Sequence, residues 1–328
     1  STRASAAPTI ARRPGGPRRA DRDRSAGSPR TFRSPGSRVV RSPRSSMIGE
    51  TIGRYDLRSR LGEGPFGEVW LAGHRETQGA VAIKLLHPGV SALPAIPRFV
   101  DEARAVGRIA HPGVAKIFDA GVRADGRAYV VSELVLGQTL GQRIAQGRSS
   151  QTQVADAVAQ VARALAAAQG VGVVHHDLKP SNVLLVPDED RPSGERAVVL
   201  DFGLAPLVAA GIERGAAAYL APEQWSRGEV PADGVADVYA LGCLAFEMAT
   251  GRPPFKASTP ARLRERHLHD PAPSIRSYMP DIGAVLDRLV ARMLEKRPAD
   301  RPGSMKDLAK LFDLLVGQEA PLGETVRD

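Results

Sequence analysis

The sequence has one cysteine, few aromatic residues and no long apolar run. The lone Cys243 excludes an intramolecular disulfide and is typical of a reducing compartment. It lies in a mainly apolar helical stretch, so we expect a buried side chain rather than a reactive thiol. No run reaches the roughly 18 apolar residues of a membrane helix, and no apolar core follows the basic amino terminus as in a secretory signal. We therefore expect a soluble, cytoplasmic protein, or an anchor beyond residue 328 in a longer chain.

Residues 1–46 contain no lysine and very few acidic residues. The segment holds twelve arginines against Asp21 and Asp23, so it carries +10, and the remainder sums to −1 within a net charge of +9. Its serines, prolines and glycines bury too little apolar surface to offset ordering entropy, which predicts a disordered tail. Such a tail could bind nucleic acid or an acidic lipid surface, serve as a transit peptide, or have no function. Met47 opens the ordered part and is a candidate start of natural translation.

The rest of the chain changes from β-rich to helical near residue 135. Short β-rich runs and turns fill residues 52–131, and one helical pattern interrupts them at 96–109. Further helices are predicted at 151–169, 235–248, 281–294 and 304–315, and a polar turn between two short strands at 187–196. These patterns predict one α+β domain of two lobes with a cleft between them, residues 47–134 and 135–316. A short tail follows at 317–328.

Residues 175–182 read His-His-Asp-Leu-Lys-Pro-Ser-Asn and place three polar groups on one short loop: the Asp177 carboxylate, the Lys179 ammonium and the Asn182 amide. Asp201 adds a second carboxylate directly after the apolar strand predicted at 198–200. Two acids and an amide that converge can hold Mg²⁺ and receive a proton from an attacking hydroxyl. Phosphoryl transfer needs these functions, because the protein mostly positions charge.

Residues 61–69 contain a glycine triplet, Gly62, Gly64 and Gly67. Glycine lets backbone N–H groups approach phosphate oxygens without a Cβ in the way. The triplet alone would also fit a glycine hairpin without a ligand. A dinucleotide-binding unit needs a helix directly afterwards, whereas a strand is predicted at 68–72, so we expect a flap over phosphates.

A lysine and an inward acid follow the glycine loop. Strand alternation puts Ala82 and Lys84 on one face, where a small residue leaves room for a flat base and the lysine offers a cation to phosphates. The next helix carries an inward stripe of Phe99, Glu102, Val106 and Ile109. An inward acid needs a partner, so we predict a Lys84–Glu102 ion pair that holds the lysine on the α- and β-phosphates.

With these motifs placed, residues 54–315 resemble a bacterial Hanks-type protein serine/threonine kinase. The motifs run in order from the glycine loop through Val-Ala-Ile-Lys and Asp-Phe-Gly to Ala221-Pro222-Glu223. The resemblance implies Asp177 as the base, Lys179 as a γ-phosphate contact, and Asn182 and Asp201 as Mg²⁺ ligands. It implies ATP contacts at Leu61, Gly62, Glu63, Gly64, Pro65, Phe66, Gly67, Val69, Ala82, Lys84, Ser132, Glu133, Val135 and Leu184.

Other matches to the family imply structural roles. Glu223 and Arg301 resemble a buried ion pair that braces the substrate loop, and Asp237 resembles an acid that clamps the catalytic loop backbone. His175 and Phe202 resemble members of an internal apolar column. Residues 133–135 resemble the hinge that meets adenine, after a small gatekeeper at Ser132.

The chain departs from the family pattern at three places. His176 stands where an arginine normally binds an activation-loop phosphate, and residues 202–222 contain no serine or threonine and one tyrosine, Tyr219. We therefore predict activity that does not depend on phosphorylation of this loop. Ala216 replaces a threonine that normally bridges Asp177 and Lys179, which predicts weaker catalysis.

We predict an ATP- and Mg²⁺-dependent protein kinase that phosphorylates Ser or Thr hydroxyls of protein substrates. The first alternative is a pseudokinase scaffold that binds nucleotide without turnover, which Ala216 and His176 favour. A small-molecule phosphotransferase is disfavoured by residues 221–223, and a nucleic-acid-binding protein depends on the tail alone. We read His267 and His269 as a solvated helix end rather than metal ligands.

Overall fold

A computed structural model describes residues 47–204, 206–207, 217–225 and 234–317. The predictions for residues 1–46, for Ala216 and for the tail from residue 318 lie outside the described residues and stay predictions. Within the described part of the chain, no helix is both long and apolar enough to cross a membrane.

The upper lobe is a six-stranded antiparallel sheet in the order β1-β2-β3-β4-β6-β5. Its strands are β1 Thr51–Ile52, β2 Tyr55–Glu63, β3 Gly67–His74, β4 Ala80–Leu86, β5 Ile117–Val122 and β6 Ala128–Glu133. In β4 the alternation is as predicted, because Val81, Ile83 and Leu85 are buried in the sheet core while Ala82 and Lys84 face a cavity.

Two helices follow β4, namely α1 Pro88–Ser91 and α2 Ile96–Val106. A proline lies in the first turn of α2, where its missing N–H costs nothing, and Gly107 caps the other end. The buried face of α2 includes Phe99 and Val106, which were predicted to face inward. The helix ends three residues before the predicted residue 109 because the chain turns at Gly107.

The lower lobe is mainly helical. Its helices are α3 Leu140–Gln146, α4 Gln151–Gln169, α5 Val235–Thr250, α6 Pro260–His269, α7 Ala284–Met293 and α8 Met305–Asp313. A small antiparallel sheet adds β7 Gln138–Thr139, β8 Val183–Pro187 and β9 Glu195–Val199, so the polar turn predicted at 187–196 connects β8 to β9.

The core of the lower lobe forms around α4 and α5. Helix α4 has the predicted bounds, because Ser150 and Gln153 form a capping box at its start. Helix α5 is buried on nearly all sides, which its apolar sequence requires. Cys243 lies fully buried within α5, and burial raises the pKa of its thiol, which confirms the predicted packing role.

Candidate active site

A cavity of about 300 Å³ opens where the upper sheet meets the lower lobe. Leu61, Val69, Ala82 and Lys84 line it from β2, β3 and β4, and the predicted hinge lines it from one end. Of the predicted ATP contacts, the cavity brings together Leu61, Val69, Ala82, Lys84, Ser132, Glu133, Val135 and Leu184.

Part of the apolar lining of the cavity was not predicted from the sequence. Apolar lining residues that were not predicted include Phe99, Val106, Ala115, Ile117 and Val130. The inward stripe of α2 was the available signal for two of these residues, because a stripe that faces the sheet also faces the space beside Lys84.

The residues of the glycine loop, 62–67, are not part of the lining of the cavity. Gly62, Glu63, Gly64, Pro65, Phe66 and Gly67 were predicted as ATP contacts and are not among its described lining residues. Phe66 is buried in the upper-lobe core against Leu86 and Phe99, because a phenyl ring gains more there than in solvent.

Backbone contacts fix the shape of this loop. Gly64 and Gly67 exchange two hydrogen bonds, of 2.9 and 3.2 Å, which close the turn between β2 and β3. A Cβ on Gly67 would lie 2.2 Å from the Leu85 carbonyl oxygen, so only glycine allows the close approach to β4. His87 adds a side-chain contact, with its Nε2 at 3.0 Å from the Gly64 carbonyl oxygen.

The predicted catalytic loop is held by Asp237 at its start and by hydrogen bonds within the loop. The carboxylate of Asp237 accepts hydrogen bonds from the backbone N–H groups of His175 and His176, at 2.9 and 2.8 Å. Within the loop, Lys179 Nζ donates to Asp177 Oδ2 at 2.5 Å, and Asn182 Nδ2 donates to the Asp177 carbonyl oxygen at 2.9 Å. The structure therefore brings together all three polar groups of the loop.

Asp201 lies next to Lys84 on the wall of the cavity. Lys84 Nζ donates to Asp201 Oδ2 at 2.6 Å. Burial alone would raise the pKa of Asp201, but the charge and hydrogen bond of Lys84 outweigh it, with smaller contributions from His175 and Lys179, so the pKa lies below its usual value. Asp201 is therefore an anion at neutral pH.

The predicted ion pair between Lys84 and Glu102 is not formed, so this prediction was wrong. Glu102 Oε1 instead accepts from Arg98 Nε at 3.0 Å, one turn earlier on α2. Burial raises the pKa of Glu102, while the hydrogen bond and charge of Arg98 oppose the rise. Arg98 reaches Glu102 at i, i+4 spacing, and Asp201 takes the place of the acid beside Lys84.

Comparison with known proteins agrees with this geometry. The family pattern described as "Protein kinase domain" matches residues 55–312. The chain belongs to the protein kinase family. The kinase domain is 36% identical over 272 residues to the serine/threonine-protein kinase PknH of Mycobacterium tuberculosis, covering 80% of this chain and 42% of PknH. It is 38% identical over 274 residues to Pkn1 of Myxococcus xanthus, covering 79% of this chain and 38% of Pkn1.

Solved structures give the same result for the fold. The crystal structure of the Mycobacterium tuberculosis PknI kinase domain is 29% identical, with a TM-score of 0.67, covering 83% of this chain and 99% of that chain. The predicted bacterial Hanks-type family and the bilobal α+β fold are thus confirmed. The chain spans about two fifths of the length of PknH and Pkn1.

Magnesium is a cofactor that the protein kinase family uses, and the residues present fit it. Leu200 N donates to the Asn182 carbonyl oxygen at 2.8 Å, so Asn182 and Asp201 lie on hydrogen-bonded neighbouring segments. The amide nitrogen of Asn182 is engaged by the Asp177 carbonyl, which leaves the amide oxygen as the acceptor. A carboxylate and an amide oxygen are the hard donors that Mg²⁺ prefers.

The predicted braces of the kinase domain are present. Arg301 binds Glu223 through two hydrogen bonds of 2.7 and 2.8 Å. His175 packs edge-on against Phe202 with ring centroids 4.8 Å apart, and its Nε2 lies 2.8 Å from the Leu200 carbonyl oxygen. These contacts connect the catalytic loop to the segment that carries Asp201.

His267 was predicted to lie at a solvated helix end, and this prediction was wrong. It is fully buried, and its Nδ1 lies 2.9 Å from the Tyr239 hydroxyl, so it is not part of a solvated helix end. Phe255, Tyr239 and Trp225 surround its ring. His269, two residues later, is exposed as predicted, because it lies on the outer face of α6.

Proposed function

We propose that the kinase domain transfers the γ-phosphate of ATP to Ser or Thr hydroxyls of protein substrates in the cytoplasm. The observation that carries this proposal is the Asp177 carboxylate, buried at 3% exposure and bound to Lys179, on a loop that Asp237 holds at its backbone. The relatives named as serine/threonine-protein kinases support the choice of substrate hydroxyl.

In the proposed mechanism, adenine lies between the upper-lobe residues Val69 and Ala82 and the lower-lobe residue Leu184, with its edge at the hinge. Lys84 binds phosphate oxygens of ATP, and Asp201 holds its ammonium in the cavity. The glycine loop supplies backbone N–H groups above the phosphates.

Asp177 orients the substrate hydroxyl and takes its proton. The hydroxyl oxygen then bonds to the γ-phosphorus while the bond from that phosphorus to the ADP oxygen breaks, and the proton passes to the Asp177 carboxylate. Lys179 offsets the charge on the transferred phosphoryl group. Asn182 and Asp201 would hold Mg²⁺, which, when bound, neutralises charge on the phosphates.

The test is transfer of radiolabelled γ-phosphate to a generic protein substrate. We expect Asp177→Asn to reduce transfer by about 10²–10⁴, because it removes the proton acceptor with little change in shape. Asp101→Asn is the matched control, since Asp101 is an exposed acid on α2 with 76% of its side chain accessible. Transfer by wild type that stays at background, equal to that of Asp177→Asn, would contradict the proposal and favour a scaffold that does not turn over.

We further propose that activity does not require phosphorylation of the activation loop. Residues 205 and 208–216 lie outside the described residues, so support comes from the absence of Ser and Thr in 202–222 and from Tyr219. The Tyr219 hydroxyl donates to Glu247 Oε2 at 2.6 Å and is therefore engaged. We expect phosphatase-treated enzyme, shown by mass spectrometry to lack phosphate at Tyr219, to keep its full turnover. A loss of turnover that returns with Tyr219 phosphate would refute this.

A further inference from the structure

A small cavity of about 40 Å³ lies on the lower lobe and shares no lining residue with the active-site cavity. Three segments form it: the turn at residues 111–113, helix α4, and the hairpin of β8 and β9. This volume has room for roughly three waters, a space of the size that one tetrahedral oxyanion needs.

The lining of this cavity is rich in basic residues. Arg163, Arg191, Arg196 and His111 contribute to it, and among the described residues that line it none is acidic. Gln160 also lines it, but its amide nitrogen is already bonded to Asp156 and to the Glu195 carbonyl oxygen, each at 3.0 Å.

Two of the arginines are held by partners of their own, and the acidic ones, Asp313 and Asp188, lie outside the lining. Arg163 is bound to Asp313, and Arg196 donates to the Pro112 carbonyl oxygen at 2.7 Å with Asp188 at 3.8 Å. Side chains held in this way lose little freedom when they bind a ligand, and guanidinium groups match phosphate oxygens in geometry.

Arg191 is different, because its guanidinium has no hydrogen-bond or ion-pair partner within the part of the chain that the structure describes. It is half-buried on the hairpin between β8 and β9. Asp313 is paired with Arg163 and Asp188 lies beside Arg196, whereas no described ion pair involves Arg191.

His111 adds a neutral donor. The backbone N–H of Gly113 donates to His111 Nδ1 at 3.1 Å, so the hydrogen of the neutral ring is on Nε2. Burial lowers the pKa of His111, and the charges of Arg163 and Arg191 lower it further. The guanidinium groups of Arg163 and Arg191 and the imidazole ring of His111 thus line the same small cavity.

We infer that this arginine-lined cavity is a binding site for a phosphate group, either free inorganic phosphate or a phosphorylated serine or threonine of a protein segment. The site supplies guanidinium and imidazole donors to an anion and has no carboxylate in its lining to repel it. A bound anion would join the turn at 111–113, which follows α2, to α4 and to the β8–β9 hairpin.

The test is titration of the full chain with inorganic phosphate at constant ionic strength, read by calorimetry and by the NMR signal of the His111 ring. We expect saturable binding and a rise in the pKa of His111, because an anion beside the ring favours its charged form. Arg191→Ala should weaken phosphate binding about tenfold or more, because it removes one charge-assisted hydrogen bond. Arg191→Lys should restore part of the lost affinity.

Arg276→Ala is the control for a general loss of positive charge, since Arg276 is exposed and lies on a distant turn. It should bind phosphate as wild type does. Equal binding by wild type and Arg191→Ala, or no saturable binding at all, would overturn the inference. Phosphate bound in the active-site cavity cannot mimic the result, because Arg191→Ala leaves that cavity unchanged.

A second titration separates the two sources of phosphate. A phosphoserine peptide is compared with its unphosphorylated form and with inorganic phosphate. Tighter binding of the phosphopeptide that depends on Arg191 supports a protein segment as the ligand, and equal or weaker binding supports the free ion. Binding of the unphosphorylated peptide as strongly as the phosphopeptide would count against a phosphate site.

Discussion

Burial lowers the pKa of His267 from 6.5 to about 4, and the charge of Lys296 adds to the effect. Above pH 6.5 the ring is neutral in both the folded and the unfolded chain, so its titration does not affect stability. Below pH 6.5 the unfolded chain binds a proton that the folded ring does not accept until about pH 4. Stability is therefore lost as the pH falls through this window.

Because of His267, we expect the free energy of unfolding of the kinase domain to fall by about 2 kcal/mol when the pH is lowered from 7.5 to 5. Urea unfolding at the two pH values measures this difference. His267→Gln should lose about 2 kcal/mol less than wild type over the same interval, whatever its stability at pH 7.5. His269→Gln, which changes an exposed histidine, should behave as wild type. An identical pH response of His267→Gln and wild type would show that the buried ring does not resist protonation.

Individual residues also show where sequence analysis stops. Lys84 and Asp201 lie together on the wall of the cavity, because each belongs to a short motif whose spacing fixes its position, while their roles and that of Asp177 stay predictions. Glu102 was given the wrong partner, since the helical stripe shows which way it faces but not that Arg98 competes for it. His267 was taken as solvated, because its environment comes from Trp225, Tyr239 and Phe255, which lie far away in the sequence.

At the scale of single elements, the glycine loop is tied to the end of β4 by His87. The backbone N–H of His87 donates to the Phe66 carbonyl oxygen at 2.9 Å, and the side-chain Nε2 lies 3.0 Å from the Gly64 carbonyl oxygen. The side-chain contact can be removed without changing the backbone contact. His87 is therefore a positioning residue for a loop that we propose to cover phosphates.

We expect His87→Ala to raise the KM for ATP by about two- to tenfold, the effect of losing one hydrogen bond, with kcat changed less. His87→Gln should recover part of the affinity, because its amide nitrogen can donate to the same carbonyl. Steady-state kinetics with ATP as the varied substrate measures both constants. His269→Ala serves as the control. An unchanged KM in His87→Ala would show that the contact does not position the loop.

The predicted elements differ from the observed ones mainly at their ends. Helix α4 matched because Ser150 and Gln153 form a capping box that is readable in the sequence. Helix α7 begins at Ala284 rather than at 281, because Gln151 of α4 binds the backbone N–H of Gly283 at 2.7 Å and fixes the turn before the helix. Such a long-range contact is not visible in local spacing.

At the scale of the whole molecule, Arg301 connects parts of the lower lobe that are distant in sequence. It binds Glu223 and donates to the carbonyl oxygens of Val235 at 3.2 Å and Lys296 at 3.0 Å. Its guanidinium also lies over the Tyr239 ring, 5.0 Å from the centroid. The order of the family motifs made the Glu223 pair predictable, whereas the other contacts depend on how the helices pack.

We expect Arg301→Ala to lower the free energy of unfolding by about 3–5 kcal/mol, because it leaves the Glu223 carboxylate and several carbonyl groups without their buried partner. Arg301→Lys should recover little, since an ammonium cannot make two parallel hydrogen bonds to Glu223. Arg297→Ala is the control, because Arg297 is 81% exposed and its contact with Asp300 is worth at most about 1 kcal/mol. Urea unfolding measures all three variants. If Arg301→Ala were as stable as Arg297→Ala, Arg301 would not hold these segments together.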